Sequence, residues 1–459
     1  MHISKKSSTF APDFVFLRYM AKEKYIGSKG YQLFKHYVRF LNEHLMYRMI
    51  YQGKENIPPM GELCMLASNH QNCANDPLNL LLGLENVTHP YVLARADAFE
   101  LPVPGIVPFF LWLGMLPTFR AEFGASEEDM KKNEQTMNLM YGKIMEGNRL
   151  IIYPAGIHHP MHWFDEFTFG YTHMAFTAAK MTGFKKDFKI LPCANHYEDY
   201  YEVDTQCIIR YGKPISLQPF YELYQTKPRT AQREVNKLVR AQIEDMMLDI
   251  RDLDHYDQID WLRNSEFGQD YCRKMGLNPA WLPDKLASDK KLVEVLKEYT
   301  DWQAIDTVMQ EEKRTGITER DIMGKKSWGT TILGMLVQLV LLPLFIVSLY
   351  PNIIHYNIHR PFVKKDPLFT NSVRFIVPTV FGIPLFFIFT VLICGLVWGW
   401  WWQSAVWMLL ASFPLAWFAL HDWKWMKATW RNAKLLCTNT TDLMAMRKQL
   451  FETLSKKLK

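Results

Sequence analysis

The residues best suited to chemistry in this chain are a histidine and an aspartate separated by five positions. His70 and Asp76 follow the apolar run 63–67, and Pro77 comes directly after the aspartate. If His70 ends a strand and Asp76 begins a helix, the carboxylate reaches one imidazole nitrogen and leaves the other to accept a proton. Such a pair can deprotonate a hydroxyl group without a metal. The residues also fit a plain turn, with Asp76 capping a helix and Pro77 at its first position.

Short apolar runs alternate with segments of helical periodicity in the first half of the chain. The runs that predict strands are 63–67, 90–95, 116–119, 150–153, 188–192 and 206–211. The segments that predict helices are 77–84, 126–146, 170–182 and 228–249. Because short apolar runs alternate with segments of helical period, the sequence predicts an α/β layered fold.

Three further motifs follow His70 in order. They are Gly-Met-Leu-Pro-Thr-Phe-Arg at 114–120, Leu-Ile-Ile-Tyr-Pro-Ala-Gly at 150–156 and Ile-Leu-Pro at 190–192. Together with the His–Asp segment, they resemble the four sequence blocks of the glycerolipid acyltransferase family, which includes the 1-acylglycerol-3-phosphate O-acyltransferases. The resemblance covers roughly residues 30–250, and the C-terminal half resembles the longer bacterial members with a hydrophobic C-terminal region. The first block is also similar to that of tafazzin-type lysophospholipid transacylases.

The resemblance implies a mixed sheet flanked by helices, followed by an accessory helical segment and membrane helices. It implies that His70 is the catalytic base, that Asp76 orients it, and that Arg120 binds the acceptor's phosphate. An acyl thioester, either acyl-CoA or acyl carrier protein, is the implied co-substrate and a lyso-lipid the acceptor, with no bound cofactor. The residues implied to bind substrate are Asn69, Gly114, Arg120, Tyr153, Pro154, Gly156, His158 and Pro192.

Three departures from the family's pattern matter, and two of them concern the acceptor. The family places four residues between histidine and aspartate, which here puts Asn75 in the carboxylate's slot. Ala155 stands where the third block usually has glutamate, and Thr168 and Phe169 replace a basic pair. Either the acceptor differs from plain glycerol phosphate, or nearby polar groups have taken over. Those groups are His158, His159, Asp165 and Glu166.

Three functions remain open from the sequence. The first is transfer of a fatty acyl group to a 1-acylglycerol-3-phosphate-like precursor in phospholipid biosynthesis. The second keeps the chemistry and changes the acceptor to a lyso-amino-lipid or another lysophospholipid. The third is a catalytically silent protein that binds lipids or scaffolds a membrane complex, which Ala155 favours and the retained His70 and Asp76 disfavour.

Composition excludes several other classes. A net charge of +6 on 459 residues suits an anionic lipid surface, and no basic block with interleaved aromatic residues predicts nucleic-acid binding. The seven cysteines include no Cys-x-x-Cys pair, so neither a disulfide framework nor a zinc site is expected. Their pattern is typical of a reducing compartment. A loose cluster of polar residues matches no standard metal site: His158, His159, His162 and Asp165.

Two long stretches near the C-terminus predict membrane insertion. Residues 327–354 contain no Asp, Glu, Lys or Arg, and neither do residues 375–420. The second stretch is long enough for two crossings of a hydrocarbon core of about 30 Å, with a break expected at 400–403. Basic residues flank both sides of the first stretch, and Pro343 lies near its middle. We therefore expect 375–420 to form a two-helix hairpin and 327–354 to dip into the membrane and return.

The sequence divides into five regions. Apolar positions recur at helical spacing over 31–50, which predicts either an in-plane interfacial helix or a helix packed on the catalytic core. The N-terminal residues are basic but no apolar signal core follows, so the enzyme is expected at the cytoplasmic (inner) membrane with its catalytic domain on the cytoplasmic side. The expected regions are an N-terminal amphipathic region 1–59, an acyltransferase domain 60–249, an accessory helical segment 250–325, membrane helices 326–422 and a cytoplasmic helical tail 423–459.

Overall fold

A mixed sheet of eight strands forms the centre of the N-terminal half. The computed structural model describes residues 28–84, 90–96, 99, 106–118, 127–163, 165–357, 372–373, 375, 383–412 and 414–457. The strands are β1 (Tyr47–Gln52), β2 (Leu63–Ser68), β3 (Tyr91–Arg95), β4 (Met115–Thr118), β5 (Leu150–Ile152), β6 (Phe188–Tyr197), β7 (Thr205–Tyr211) and β8 (Ile215–Ser216). Their order is β1-β7-β6-β2-β5-β3-β4, with β8 beside β6. The strands from β6 to β4 are parallel, whereas β7 and β8 run antiparallel to β6, and β1 is parallel to β7.

Helices cover both faces of this sheet. They are α1 (Lys29–Leu41), α2 (Asn75–Gly83), α3 (Ile106–Trp112), α4 (Glu127–Met145), α5 (Gly170–Met181), α6 (Tyr221–Thr226) and α7 (Pro228–Met246). Alternate residues of β2 show the layering, because successive strand side chains point to opposite faces. Met65 and Ala67 pack in the core with α4, α5 and α7, and Cys64 and Leu66 pack in the core with α1 and α2. The β2 strand is therefore buried on both faces, at the centre of the sheet.

The predicted α/β class with a mixed sheet and flanking helices is confirmed. Each predicted strand and helix of residues 60–249 has a counterpart. The prediction of a helix through Ile50 is wrong, because α1 ends at Leu41 and a π-helical turn, Asn42–Met46, leads into β1. The apolar residues there fit a strand as well as a helix, and parallel pairing with β7 decides between the two.

A second group of helices follows the sheet and has its own core. These helices are α8 (Tyr256–Asn264), α9 (Glu266–Lys274), α10 (Leu282–Leu296), α11 (Trp302–Thr315), α12 (Glu319–Met323) and the C-terminal α17 (Thr441–Lys457). Leu450 and Leu454 of α17 lie in one apolar cluster with Ile259 and Leu292. The last helix of the chain is thus packed into this unit, which we call the helical unit.

The remaining helices are α13 (Trp328–Asn357), α14 (Ile383–Trp398), α15 (Trp401–Ser412) and α16 (Pro414–Cys437). The first three are strongly apolar, whereas α16 is apolar only up to Leu420 and then carries Asp422, Lys424, Lys427, Arg431 and Lys434. Two stretches are long and apolar enough to cross a membrane by length and composition, Trp328–Leu349 and Trp401–Cys437, and Pro384–Trp398 is a shorter apolar helix. The expected break near residue 400 is present between α14 and α15.

The prediction that 327–354 dips into the membrane and returns is wrong. The α13 helix is continuous for 30 residues and passes through Pro343 without a turn. A proline inside an apolar helix removes one backbone hydrogen bond but does not reverse the chain when neighbouring helices support it. Here α13 packs along α16.

The apolar helices contact the sheet through α16. The Lys424 ammonium donates to a carboxylate oxygen of Asp204 at 3.2 Å, and Lys427 lies 3.8 Å from Glu202. Both acidic residues belong to the turn between β6 and β7. This turn therefore joins the sheet to the C-terminal helices.

Candidate active site

The candidate site lies at the carboxyl ends of two neighbouring parallel strands. Ala67 of β2 is opposite Ile152 of β5, so the residues that follow both strands emerge at the same edge of the sheet. Open α/β sheets bind ligands at this edge. The rings of His70 and Tyr153 stack there, with centroids 4.0 Å apart and planes 17° apart.

His70 and Asp76 form the predicted pair. The imidazole Nδ1 lies 2.7 Å from Asp76 Oδ2. The aspartate is on the first turn of α2, and its side chain is 0% exposed, whereas 17% of the histidine side chain is exposed. The carboxylate is thus sealed inside the protein while the imidazole keeps access to solvent.

Three other donors fix the carboxylate of Asp76. The backbone N–H groups of Gln71 and Asn72 donate to Oδ2 at 2.7 and 2.8 Å, and the Tyr197 hydroxyl donates to Oδ1 at 2.7 Å. Because all of these groups donate, the Asp76 carboxylate acts as an acceptor only. The hydrogen between Asp76 Oδ2 and His70 Nδ1 is therefore carried by His70. The other ring nitrogen, Nε2, is then the basic one. Burial raises the pKa of the Tyr197 phenol well above 10, so it remains a donor.

A network of amide side chains holds the loop that carries His70. Asn69 donates to the carbonyl of Asn195 and accepts from its N–H, both at 2.8 Å, which fastens the loop to β6. Gln71 accepts from Asn69 and from the Tyr200 hydroxyl, and it donates to the carbonyl of Met161. Asn69, a residue predicted to bind substrate, is 1% exposed and serves to hold this loop against β6.

Tyr153 has a buried hydroxyl without a hydrogen-bond partner among the described residues. Burial is the main cause that raises the pKa of this phenol well above 10, and the nearby Asp76 adds to it. A buried polar group without a partner is uncommon and calls for an explanation. The Tyr153 ring stacks on His70, and its hydroxyl is a neutral donor that is buried from solvent.

The loop after β5 brings histidines to the site in different orientations. The His158 ring lies 4.9 Å from that of His70. His159 stacks on Trp163 and pairs with Asp165 at 3.5 Å. Burial lowers the pKa of His159 below 6.5, so this side chain is neutral at pH 7. Among the described residues, no group of three or more His, Cys, Asp or Glu side chains could hold a metal ion.

His162 and Glu166 belong to the same loop but point elsewhere. The Tyr200 hydroxyl lies 3.2 Å from His162 Nδ1, and burial lowers the pKa of this histidine well below 6.5. Glu166 accepts from Arg240 at 2.7 Å, and 87% of its side chain is exposed. Glu166, one of the groups proposed to replace the missing glutamate, therefore pairs with Arg240 at the surface instead.

The other predicted binding residues are divided between the site and its surroundings. Pro154 and Gly156 form the turn after Tyr153, in which the Gly156 N–H donates to the Tyr153 carbonyl and glycine adopts φ +76°. Gly114 also has positive φ, but it forms the turn before β4, on the far side of β3. Arg120 lies outside the described residues.

Pro192 is located inside a strand. It pairs with Ala67, three residues before His70, which corresponds to about 10 Å along a strand. Pro192 lies between the residues of β6 that pair with β8 and those that pair with β7. The N–H group that proline lacks is therefore not needed by either of these antiparallel strands. Its described hydrogen bond is structural, since its carbonyl accepts from Gly212 at 2.7 Å.

Two residues that complete the site were not predicted. Tyr197 reaches Asp76 because β6 continues five residues beyond its predicted end at Pro192. Ser372, close to the apolar helices in sequence, accepts from the Ala74 N–H at 3.1 Å and donates to the Asn72 carbonyl. All five residues after Pro192 are buried, so no alternation marked the first, and a contact across 298 positions left no local signal for the second.

Comparisons with known proteins give a weak likeness among solved structures. No family model matches the chain, and no curated protein matches it significantly. Among solved structures, the chain is similar to the 1-acyl-sn-glycerophosphate (LPA) acyltransferase PlsC from Thermotoga maritima, with 16% sequence identity and a TM-score of 0.35. The match covers 51% of this chain and 87% of that one. A TM-score this low assigns neither a fold nor an activity.

Proposed function

We propose that this protein is a membrane-bound O-acyltransferase. It transfers a fatty acyl group from a thioester, acyl-CoA or acyl carrier protein, to the hydroxyl group of a lyso-lipid of the 1-acylglycerol-3-phosphate type, in phospholipid biosynthesis. The observation that carries the proposal is the 2.7 Å contact between His70 and an Asp76 that is fully buried and held by three other donors. The block order of the sequence supports acyl transfer as the reaction.

In the proposed reaction, Nε2 of His70 removes the proton of the acceptor hydroxyl. The oxygen attacks the thioester carbonyl carbon, the carbon–sulfur bond breaks, and the proton passes from His70 to the leaving sulfur. Asp76 stabilises the imidazolium that exists between these steps. General-base catalysis of this kind contributes about 10²–10⁴-fold to the rate. Both reacting groups come from the substrates, so no resident cofactor takes part.

The acceptor pocket differs from that of a standard glycerol-phosphate enzyme. Ala155 occupies the position of the usual glutamate, while the rings of Tyr153 and His158 lie beside His70. A lyso-amino-lipid or another lysophospholipid is therefore the alternative acceptor. Introducing the carboxylate with Ala155→Glu should raise activity on glycerol-phosphate acceptors. No gain on those acceptors, together with activity on another lyso-lipid, would assign the alternative.

The proposed location is the cytoplasmic membrane. The two apolar stretches, Trp328–Leu349 and Trp401–Cys437, provide the attachment. The free cysteines of the described residues fit a catalytic domain on the reducing, cytoplasmic side. Ser372 adds a direct connection, because a residue close to these helices in sequence contacts the loop that carries His70 and Asp76.

The test is lipid mass spectrometry of purified full-length protein in detergent with acyl-CoA, acyl carrier protein and a panel of lyso-lipids. His70→Ala should abolish product formation. The matched control is His255→Ala, because His255 also contacts an aspartate through Nδ1, Asp252 at 2.8 Å, but on the surface of the helical unit. Product that depends on His70 and not on His255 supports the proposal and names the acceptor.

A catalytically silent lipid-binding or scaffold protein is the second candidate, and Ala155 favours it. It predicts no product from any acceptor of the panel, while the folded protein still binds lipid. Equal product from the wild type and His70→Ala would contradict the proposed mechanism.

A further inference from the structure

The helices α13 and α16 are fastened together at one end by polar side chains. Asn432 of α16 donates to the Thr331 hydroxyl at 2.6 Å and accepts from the backbone N–H of Lys326 at 2.8 Å. Gln338 and Thr429 form the next contact along the antiparallel pair, at 3.1 Å. The apolar stretch Trp328–Leu349, which could cross a membrane by length and composition, begins at this point.

Exposed aromatic residues support this assignment. Trp328 is exposed at the start of α13, and Trp430, two residues before Asn432, is 72% exposed. Tryptophan is enriched where membrane-spanning helices meet the water interface. The side of α16 near Trp430 and Trp328 is therefore placed next to lipid headgroups, while Lys424 and Lys427 hold another side of the helix against the sheet.

A cavity of about 410 Å³ lies at this level, between α16 and the α11–α12 turn. Its lining includes three cationic side chains and one carboxylate. The lining residues are Gly316, Thr318, Arg320, Asp321, Arg431 and Lys434. The cavity is therefore positively charged.

The hydrogen bonds within the lining leave cationic donors available. The carboxylate of Asp321 accepts from the backbone N–H and the hydroxyl of Thr318, which caps α12. Lys434 donates one hydrogen to the Gly316 carbonyl at 2.6 Å, and its ammonium has two more. In the part of the chain that the structure describes, the exposed guanidinium groups of Arg320 and Arg431 have no hydrogen bond or ion pair with protein.

We propose that this cavity binds the phosphate group of an anionic membrane lipid. Two guanidinium forks offer paired N–H donors with the spacing of phosphate oxygens, and the lysine adds a point charge. Basic pockets beside membrane helices at the cytoplasmic surface hold lipid headgroups in this way. The site rests on the membrane placement given under Proposed function, but it is independent of the chemistry of His70.

The test uses full-length protein in a neutral maltoside detergent and isothermal titration calorimetry. The probes are dioctanoyl phosphatidylglycerol, dioctanoyl phosphatidylcholine, sodium octanoate and inorganic phosphate. Each arginine near a lipid surface strengthens binding several-fold, so Arg320→Gln combined with Arg431→Gln should weaken phosphatidylglycerol binding by about 10–30-fold. Phosphatidylcholine, which is zwitterionic, should bind more weakly and respond less.

The matched control removes the same charge elsewhere. Arg229 and Arg233 are exposed on α7, which packs on β6, β8, α5 and α6 rather than on α12 or α16. Replacing both with glutamine should leave phosphatidylglycerol binding unchanged. The charge-retaining Arg431→Lys should give an intermediate loss, because lysine lacks the fork. An unchanged melting temperature without lipid shows that each variant is folded.

The probes separate the possible sources of phosphate. Inorganic phosphate that binds with the same arginine dependence assigns the site to phosphate in general, and binding of phosphatidylglycerol alone assigns it to a lipid headgroup. Wild-type affinity in the double variant, or an equal loss in the control pair, overturns the proposal. So does octanoate binding with the same dependence, because the cavity would then recognise charge rather than phosphate. His70→Ala should bind phosphatidylglycerol normally. The result of this test therefore does not depend on whether the protein is an acyltransferase.

Discussion

Two His–Asp pairs of nearly equal geometry lie in different regions of the molecule. Nδ1 of His70 is 2.7 Å from Asp76, and Nδ1 of His255 is 2.8 Å from Asp252. Each imidazole also stacks on an aromatic ring, His70 on Tyr153 at 4.0 Å and His255 on Trp302 at 4.4 Å. Distance and stacking therefore do not distinguish the sheet edge from the surface of the helical unit.

The surroundings of the two carboxylates do distinguish them. Asp76 is 0% exposed and its described partners are neutral donors and His70, whereas 43% of the Asp252 side chain is exposed. Water and salt screen a charge at the surface, but a buried one acts on its neighbour at low dielectric. Removing the Asp76 charge should therefore matter more to its surroundings than removing the Asp252 charge.

The strongest test of this difference exchanges each carboxylate for an amide. Asp76→Asn should lower kcat for acyl transfer by about 10²–10⁴-fold, because the amide neither fixes the tautomer of His70 nor stabilises its protonated form. Asp252→Asn should leave kcat within a factor of two. Steady-state kinetics on the best acceptor measures both. Equal effects of the two substitutions would remove the distinction between the pairs.

A buried carboxylate in the helical unit provides the next test. Asp289 is as buried as Asp76 but is paired with cations, accepting from Arg263 at 3.1 Å and from Lys285. Asp289→Asn should lower the free energy of unfolding by about 3–5 kcal/mol, because it leaves the largely buried ammonium of Lys285 without its counter-charge. Urea denaturation in detergent measures the loss, and kcat of the folded protein should not change. A fall in kcat without a loss of stability would contradict this assignment.

Glu312 shows what happens to a buried carboxylate that has too few donors. It accepts from the Trp261 indole at 3.0 Å, while its other oxygen is buried without a described partner. Burial, with the nearby charge of Glu319, raises its pKa from 4.5 to about 7. Between pH 4.5 and about pH 7, Glu312 is protonated in the folded state but ionised in the unfolded state. The free energy of unfolding therefore falls as the pH rises from about 4.5 to about 7.

Glu312→Gln should remove this pH dependence. Glutamine resembles the protonated acid, so the variant should be more stable than the wild type by at most about 3 kcal/mol at pH 8 and equally stable at pH 4.5. Urea unfolding at both pH values measures the difference. A gain that is the same at pH 4.5 and pH 8 would show that titration of Glu312 is not its source.

The smallest expected effect comes from the donor on Asp76 Oδ1. Tyr197→Phe keeps the ring that packs against Tyr47 but removes the hydroxyl, and kcat should fall by about tenfold, the value of one hydrogen bond to a charged group. Tyr171→Phe is the control, because it removes a buried hydroxyl that donates to Asn236 at 2.7 Å outside the site. Tyr171→Phe should lower the free energy of unfolding about as much as Tyr197→Phe does, but it should leave kcat unchanged.

Local sequence was sufficient for the elements that place the pair. The apolar run that forms β2, the helical period of α4 and the order of Asp76 and Pro77 at the start of α2 each depend on neighbouring residues. Local periodicity did not separate α1 from β1, because the same apolar residues satisfy a helix and a strand. It also placed a reversal at Pro343, where packing of α13 against α16 keeps one helix.

The sequence by itself determined the layered α/β class, the proximity of His70 and Asp76, and the apolar character of the C-terminal helices. These properties follow from periodicity and short spacing, which need no distant partner. Only the tertiary structure decided that Asp76 is sealed by Tyr197, that Ser372 contacts its loop, and that Arg320 and Arg431 line one cavity. Each of these contacts joins residues more than a hundred positions apart, so burial and strand order, rather than local pattern, determine them.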